Sequence, residues 1–409
     1  MSAGTVRSSA RSAIPRGIWV LLAANVVIAL GFGLVAPALP SFAHSFNVGL
    51  TAASAIVSVF AVMRLVFAPT AGRLVTKLGE RRVYLTGLFI VAVSTFATAF
   101  AQTYWQLLLF RGLGGIGSTM FTVSAMALLI RMSPPDIRGK VSGYFSAGFL
   151  IGNITGPLIG SALVSYGLRL PFIVYSVALL VALLVVATAL GDAHRVATTG
   201  GTVLADPLTL REALRDSTYR AILASNFAQG WASMGVRVAV VPLMITEGLQ
   251  RGAAWAGIVM AAFAAGNVVA ILLAGRLSDL RGRRVIMLPG LAVTAVSTAV
   301  FGLPTQLAVV LVLSVIAGAG AGLFAPTQQA ALADVLGSRA QGGSALATFG
   351  MAADCGAVSG PIIVGYLAQQ LGFGVAFAAT GAVLAVAFVM WVFARESAPA
   401  AILIPETGE

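Results

Sequence analysis

Two stretches of this sequence are almost the same: Gly72-Arg73-Leu74-Val75-Thr76-Lys77-Leu78-Gly79-Glu80-Arg81-Arg82-Val83, and Gly275-Arg276-Leu277-Ser278-Asp279-Leu280-Arg281-Gly282-Arg283-Arg284-Val285. The two copies lie 203 residues apart in a chain of 409 residues, and each joins two long apolar runs. A basic, glycine-containing turn repeated at half-chain spacing predicts a duplicated helical bundle. In an apolar chain, such turns are typical of short loops on the cytoplasmic side of a membrane.

The composition of the chain excludes a soluble protein. The sequence is 59% hydrophobic and only 9% charged, with a mean hydropathy of +0.97, whereas soluble domains carry about 25% charged residues. The net charge of +12 does not indicate nucleic-acid binding, because the basic residues sit in short turns between apolar runs. The single cysteine, Cys355, excludes an intramolecular disulfide and a cysteine-cluster metal site. We expect no metal, no cofactor and no nucleic-acid partner.

Twelve apolar runs are long enough, at about 20 residues each, to cross a bilayer as helices. A long polar connection over residues 191–218 separates six runs from six. We therefore predict an all-α membrane protein with an N-terminal six-helix bundle over 1–190, a cytoplasmic linker over 191–218 and a C-terminal six-helix bundle over 219–409. The predicted spans are about 18–39, 51–71, 83–101, 105–130, 141–165, 170–190, 219–244, 254–274, 285–303, 307–329, 342–368 and 373–394.

The placement of lysine and arginine predicts the orientation of these spans. Of the 25 basic residues, 20 fall on the side that carries both termini and the linker. Arg169 and Arg251 fall on the other side, and three arginines fall inside spans. Because positive residues concentrate in cytoplasmic loops, both termini are expected in the cytoplasm of a multi-pass protein of the inner or plasma membrane. The first apolar run is too long for a typical signal peptide, so we interpret it as a span.

Glycine and proline mark two kinds of conformational motif. In the repeated turn, the glycines permit tight backbone geometry and the arginines can bond helix-end carbonyls, although a simple positive anchor is the alternative. In the fifth span glycines recur at every fourth position, and the eleventh span carries a related run at the same half-chain offset. These patterns indicate close helix packing with bends where the bundles meet. The residues concerned are Gly72, Arg73, Gly79, Arg81, Arg82, Gly275, Asp279 and Arg283 in the turns, with Gly152, Gly156, Pro157, Gly160, Gly360 and Pro361 in the spans.

Four charged residues fall well inside spans: Arg64, Arg111, Arg237 and Asp354. A buried charge costs at least about 2.5 kcal/mol, so each is expected to face a cavity or a partner. Asp354 is the only carboxylate among them, which makes it the best candidate to carry a coupling proton. Apolar surroundings favour the protonated carboxyl and a nearby arginine favours the ionised one. A fixed structural pair with Arg64 or Arg237 is an equal alternative, and the sequence does not choose between the two arginines.

These motifs together resemble the major facilitator superfamily, and within it the twelve-span drug:proton antiporter group. The repeated turn resembles the loop 2–3 motif of that superfamily, Arg111 to Gly117 resembles its fourth-span arginine motif, and Gly148 to Gly160 resembles its fifth-span antiporter motif. Two departures stand out. Thr76 replaces the aspartate usual in the first copy of the turn, and the first span carries Asn25 rather than an acid.

The resemblance implies a central cavity lined by the first, fourth, seventh and tenth spans. Aromatic residues on these spans suit lipophilic cargo, and amides can supply orienting contacts. The cavity residues expected on this basis are Asn25, Phe32, Asn226, Gln229, Trp231, Phe324, Gln328 and Gln329.

Three functions compete at this point. The first is a proton-coupled exporter of small lipophilic molecules or drugs that works by alternating access. The second is a carrier, potentially an importer, of anionic or sugar-like solutes, favoured by three buried arginines against one aspartate. The third is a channel or receptor, disfavoured by the duplicated halves. The sequence has no phosphate-binding loop and no nucleophile–base arrangement, so neither ATP drive nor an enzyme is expected. We expect a monomer whose partners are its cargo, protons and the lipid bilayer.

Overall fold

The structure, a computed structural model, describes residues 14–133, 138–189, 210–336 and 344–397. Residues 191–209 of the predicted linker and the N-terminal Arg7 and Arg11 lie outside these ranges. Within them the chain is helical, and two π-helical turns, Gly230–Val236 and Met244–Gly248, interrupt one long rod. The helices are α1 (Arg16–Val35), α2 (Leu39–His44), α3 (Leu50–Leu78), α4 (Glu80–Ala99), α5 (Tyr104–Met132), α6 (Arg138–Val164), α7 (Leu170–Ala189), α8 (Leu210–Ala213), α9 (Ser217–Gln229), α10 (Arg237–Leu243), α11 (Ala254–Arg281), α12 (Arg283–Ala299), α13 (Leu307–Leu336), α14 (Ser344–Leu371) and α15 (Phe373–Val392).

Ten stretches of the described chain are long and apolar enough to cross a membrane. The last of them, Ala345–Val392, contains two helices, α14 and α15, joined at Gly372. The helix α12 has only 17 residues and stands outside these ten. Each half of the chain therefore presents six long helical rods, in agreement with the duplicated pattern of the sequence.

The rods alternate in direction between two ends of the molecule. We call the end that carries Ile14 and Ser397 the terminal end, and the other the opposite end. Leu210, where the chain is described again after the linker, and the two basic turns also lie at the terminal end, because an even number of rods separates them from the first described residue. Large apolar side chains such as Val66, Trp105 and Leu272 are exposed on the outer surface of the rods, as lipid-facing residues are.

The repeated basic turn is much shorter than the sequence suggests. The helix α3 continues through Thr76 to Leu78, and α4 begins at Glu80, so Gly79 alone makes the turn. In the second copy Gly282 does the same between α11 and α12. Both glycines have φ near +90° and extended ψ (83° and 152°, 96° and 155°), a backbone region essentially reserved for glycine. By contrast, Gly72 is an ordinary helical residue.

The glycine stripe of α6 packs against α1 within the N-terminal half. A Cβ on Gly156 would lie 2.6 Å from the carbonyl oxygen of Leu30, so only glycine permits this approach. On α14, Gly360 meets Trp231 of the corresponding rod in the C-terminal half in the same way. The stripes thus hold each half together, as small residues do between membrane helices.

Toward the opposite end, the two halves meet directly. The amide oxygen of Gln369 accepts hydrogen bonds from the backbone N–H of Thr51 at 3.0 Å and from its hydroxyl at 2.8 Å. The Ser58 hydroxyl donates to the Val358 carbonyl at 2.7 Å, which joins α3 to α14 nearer the middle of the rods. These contacts close the molecule along the α3–α14 seam.

A second seam at this end joins α6 to α11. The Ser161 hydroxyl donates to the Ala254 carbonyl, and Gly257 lies against the carbonyl oxygen of Pro157. Between the two seams, the imidazole Nε2 of His44 lies 3.6 Å from a carboxylate oxygen of Glu247.

The turn glycine yields a paired prediction. The Gly79→Ala substitution should lower the free energy of unfolding by about 1–3 kcal/mol, because the new side chain has open space but must adopt a glycine-only backbone conformation. In the same phrase, Gly72→Ala should raise it by roughly 0.5–1 kcal/mol, because alanine favours the helix and also meets open space. Thermal unfolding of both purified variants in detergent measures the difference, and equal effects would contradict the assigned turn.

Candidate functional site

A cavity of about 200 Å³ lies between the two halves, and its wall residues on α3 (Val57 to Arg64) and α14 (Asp354 and Ala357) lie on the terminal side of the Thr51–Gln369 contact. Four helices of the N-terminal half supply most of its wall, and from the C-terminal half α14 and the rod that carries Met234 and Val238 complete it. The wall is mainly aromatic and aliphatic, with a few hydroxyls and three charged side chains. Its residues are Ile28, Phe32, Val35, Ala36, Leu39, Val57, Phe60, Ala61, Arg64, Val91, Thr95, Arg111, Ser118, Phe121, Thr122, Phe149, Tyr175, Met234, Val238, Asp354 and Ala357.

Arg111 is the most buried charge on this wall, with 9% of its surface exposed. It lies on α5, where the adjacent glycine-rich run lets α3 approach closely: a Cβ on Gly115 would touch the carbonyl oxygen of Phe60. The Arg111 guanidinium carbon sits 4.5 Å from the centre of the Phe60 ring. No carboxylate among the described residues is within ion-pair distance of Arg111, and its Nε is buried without a hydrogen-bond acceptor.

Asp354 and Arg64 lie on the same cavity wall, although they come from different halves. Asp354 is on α14 and Arg64 on α3, the two helices of the seam that closes the opposite end. Both side chains are half-buried. Arg64 is the positive group that acts on the Asp354 carboxylate, at more than direct ion-pair distance. The geometry therefore favours Arg64 over Arg237 as the electrostatic partner of Asp354.

Arg237 occupies a different environment. Its guanidinium carbon stacks 3.1 Å from the centre of the Phe263 ring on α11, within the C-terminal half. It lines a separate, much smaller cavity together with Val241 and Phe301. Arg237 is thus held by an aromatic face and does not reach the cavity that contains Asp354.

Of the eight cavity residues expected from the sequence, the structure places Phe32 on the wall of this cavity. Two of the amides instead join helices within each half at equivalent positions. The Asn25 side chain donates to the Phe145 carbonyl at 2.9 Å, and the Asn226 side chain donates to the Phe349 carbonyl at 2.5 Å. These paired bonds link the first rod of each half to the fifth.

The remaining expected residues lie in the C-terminal half, away from this cavity. The Gln328 amide donates to Asn226 Oδ1 at 2.8 Å and to Gln229 Oε1 at 3.0 Å, which makes a buried amide cluster. Trp231 donates its ring N–H to the Thr380 hydroxyl at 3.4 Å. Phe324 is fully buried in the core of this half, and Gln329 is exposed.

The sequence analysis missed several residues of the cavity wall. Phe60, Phe121, Phe149 and Tyr175 give it its aromatic character, and Tyr175 donates from its hydroxyl to the Ile28 carbonyl at 3.4 Å. In an apolar span, the sequence does not show whether a phenylalanine faces a cavity or the lipid. Tyr175 did offer one, because a polar hydroxyl within a long apolar run must find a partner.

The basic turns form bonds within their own halves at the terminal end. In the first copy, Arg81 donates to the Ala187 carbonyl at 2.7 Å, as expected for an arginine at a helix end, and Glu80 pairs with Arg131 at 3.1 Å. Arg73 and Arg82 are exposed, and the Thr76 hydroxyl bonds only to the Arg73 carbonyl. The first copy thus makes no charged contact through position 76.

The second copy of the turn builds a larger charged cluster. Arg283 binds Asp279, donates to Asp334 at 3.0 Å and donates to the Ser278 hydroxyl at 3.0 Å. The Glu396 carboxylate accepts the backbone N–H of Arg283 at 2.8 Å, so it caps the start of α12. The cluster fixes the terminal ends of α11, α12 and α13 to one another.

The amide cluster yields a prediction that separates packing from cargo binding. Gln328→Leu should lower the free energy of unfolding by about 1–3 kcal/mol, because it leaves the buried oxygens of Asn226 and Gln229 without their donor. The neighbouring Gln329→Leu should change it by less than about 0.5 kcal/mol, because position 329 is exposed. Denaturation of both variants in detergent decides this. A Gln328→Leu variant as stable as its neighbour would argue against a structural cluster.

Relatives of known function match only part of this chain. Multidrug resistance protein 1 of Bacillus subtilis is 35% identical over 153 residues, which is 37% of this chain and 39% of that protein. Quinolone resistance protein NorA of Staphylococcus aureus is 32% identical over 155 residues, 38% of this chain and 40% of that protein. The matched stretch thus spans about two fifths of the length of these curated relatives.

The whole chain matches in fold and in family. A solved structure of a bacterial homolog of the human lysosomal transporter Spinster, in an inward-facing and unoccupied conformation, superposes with a TM-score of 0.77. It covers 93% of this chain and 97% of its own at 17% identity, which shows a common fold. The sequence model described as Major Facilitator Superfamily matches residues 21–236 and again residues 222–408. Because these two matches together cover nearly its full length, the chain belongs to the Major Facilitator Superfamily of transporters.

Proposed function

We propose that this protein is a secondary active transporter that exports small lipophilic molecules from the cell in exchange for protons. The observation that carries the proposal is the cavity itself. It is apolar and aromatic, it lies where the two halves meet, and it contains a carboxylate within reach of an arginine from the other half. The proteins named above match part of the chain, and their names indicate resistance to drugs and to quinolones, which export of such compounds from the cell would provide.

The mechanism we propose is alternating access with Asp354 as the proton carrier. The halves meet at the opposite end, and the cavity lies on the terminal side of that contact. Cargo would therefore enter from the terminal end in this state. An ionised Asp354 attracts Arg64 across the α3–α14 seam, and a protonated one does not. Protonation would weaken the seam and let the opposite end open, and loss of the proton would restore the attraction.

The proposed domain boundaries remain those predicted from the sequence: a bundle over 1–190, a linker over 191–218 and a bundle over 219–409. We also propose a monomer in the cell membrane with both termini in the cytoplasm and no nucleic-acid partner. A carrier of anionic solutes remains the second candidate function, favoured by Arg64 and Arg111 facing the cavity against the single carboxylate Asp354.

Cysteine accessibility tests the orientation. In a Cys355→Ala background, cysteines placed at Gln102 and Gln370, which are exposed at the opposite end, should react with a membrane-impermeant maleimide added to intact cells. A cysteine at the exposed Arg82, at the terminal end, should react only after the cells are opened. The reverse pattern would place both termini outside and overturn the proposed direction of transport.

Proton coupling is tested by the Asp354→Asn substitution, which mimics the protonated carboxyl. In proteoliposomes with an imposed pH gradient, the variant should lose proton-driven flux and keep gradient-free exchange of the same cargo. The neighbouring Cys355→Ser is the control, because Cys355 is exposed on the same helix and should leave flux unchanged. Full gradient-driven flux by Asp354→Asn would remove Asp354 from the coupling mechanism.

The role of Arg111 in transport is tested by Arg111→Ala. The variant should insert into the membrane at a normal level but lose transport, because the buried charge is expected to act in the cavity rather than in folding. Membrane-fraction immunoblots and flux measurements on the same preparation separate these effects. Wild-type flux at equal expression would show that Arg111 has no role in transport.

A further inference from the structure

We propose that the cargo is amphoteric: a small aromatic molecule whose acidic group binds Arg111 and whose basic group binds Asp354. This inference rests on the proposed function, because it uses the requirement that cargo and proton exclude one another in an exchanger. It names a class of substrate and assigns one group of that substrate to each half of the protein. Arg111 belongs to the N-terminal half and Asp354 to the C-terminal half.

The first step concerns Arg111, a buried charge that among the described residues lacks an ion-pair partner and a full set of hydrogen-bond acceptors. The residue is 91% buried, yet in the part of the chain that the structure describes its guanidinium has no carboxylate partner, and its Nε has no acceptor. The face of the Phe60 ring, whose centre is 4.5 Å from the guanidinium carbon, stabilises the positive charge. It does not accept hydrogen bonds from the five N–H groups as an oxygen would. A carboxylate is the group that matches the planar fork of an arginine, through two charge-assisted hydrogen bonds.

The second step is the sign of coupling at Asp354. A basic group on the cargo and a proton both neutralise this carboxylate, so they compete for it, as exchange requires. A purely anionic cargo would behave in the opposite way. It would bind better once Asp354 was protonated, because the like charge facing it would be gone. Such a molecule would travel together with the proton rather than against it.

The third step is the balance of charge on the cavity wall. With Asp354 ionised, Arg64 and Arg111 leave the wall with one excess positive charge. A cargo with only basic groups would meet both arginines without compensation. If the cargo also carries an acid, that acid pairs with Arg111, and Arg64 stays near Asp354. An amphoteric molecule therefore offers an opposite charge to both Arg111 and Asp354, and its basic group still competes with the proton for Asp354.

The rest of the wall defines the body of the molecule. Phe32, Phe60, Phe121, Phe149 and Tyr175 present aromatic surface around a space of about 200 Å³. Flat ring systems gain from stacking against such walls as well as from burial. The volume admits a molecule of one or two rings rather than an extended lipid chain.

A matched set of four naphthalene compounds tests this inference by binding alone. The set comprises 6-(aminomethyl)-2-naphthoate (amphoteric), 6-methyl-2-naphthoate (acid only), (6-methyl-2-naphthyl)methylamine (base only) and the neutral 6-methyl-2-naphthalenemethanol. Calorimetry on the purified full-length protein gives each Kd. The corresponding benzene series, measured in parallel, covers a shorter spacing between the two charged groups. The proteins are wild type, Arg111→Gln, Asp354→Asn and the control Arg169→Gln, an arginine that lies over Phe42 outside the cavity.

The expected result is a crossed pattern. In wild type, the amphoteric compound of one series binds most tightly, and each substitution weakens it about tenfold or more, as loss of a charged hydrogen bond does. Arg111→Gln weakens the acid and spares the base, and Asp354→Asn does the reverse. Arg169→Gln changes nothing. Equal binding of the neutral alcohol to all four proteins shows that each variant is folded.

Two results would overturn the inference. One is an acid-only compound that binds wild type as tightly as the amphoteric compound does. The other is a base-only compound that does so. The proposed function can fail separately from this inference. If the crossed binding pattern appears but a pH gradient drives no flux, the binding site stands and proton exchange is rejected. If a pH gradient drives flux of other lipophilic molecules but the binding pattern is absent, proton exchange stands and this class of cargo is rejected.

Discussion

The cost of placing a charge in hydrocarbon governs where every ionisable group of this protein lies. Most of the basic residues sit at helix ends, where they bond carbonyls, as Arg81 does, or pair with carboxylates, as Arg131 does. Four charges lie inside the spans: Arg64, Arg111 and Asp354 face one cavity between the halves, and Arg237 stacks on the Phe263 ring instead. The same cost that keeps charges out of the lipid therefore concentrates three of them where a cargo and a proton can meet them.

The two halves share an architecture but distribute their charges differently. In the C-terminal half, Arg283 gathers Asp279 and Asp334 into a cluster at the terminal end. In the N-terminal half, Thr76 replaces the corresponding acid, and among the described residues the ion pair at that turn joins Glu80 to Arg131. The N-terminal half instead supplies both arginines of the cavity. Duplication thus produced one half whose charges mainly stabilise its helix ends and another whose charges face the cavity.

The sequence predicted the fold well because lipid imposes simple rules. Span length, half-chain repetition and the positions of Lys and Arg each led to twelve helical rods. The extent of the basic turn was wrong, since no rule of composition ends a helix at Gly79 rather than at Gly72. Only the backbone conformation of Gly79, with φ of +83°, shows which glycine breaks the helix.

The candidate site was predicted only in part. The buried charges were found because each is rare in a span and costly to leave unmatched. The amides were assigned to the cavity because a polar side chain in a span has to face something, but Asn25 and Asn226 bond the backbone of a neighbouring helix. Sequence alone does not distinguish a cavity from a helix contact at such positions. The choice of Arg64 over Arg237 likewise required the packing of α3 against α14.

The contacts between the halves are made largely by the smallest residues and the backbone. Gly257 lies on the Pro157 carbonyl, Gly365 lies on Ser54, and the Ser58 hydroxyl reaches a main-chain oxygen. A surface of this kind holds few long side chains in fixed rotamers. Little side-chain conformational entropy is therefore gained when the halves separate, and little is lost when they rejoin. In the proposed alternating-access cycle, the two halves would therefore separate and rejoin many times without repacking a hydrophobic core.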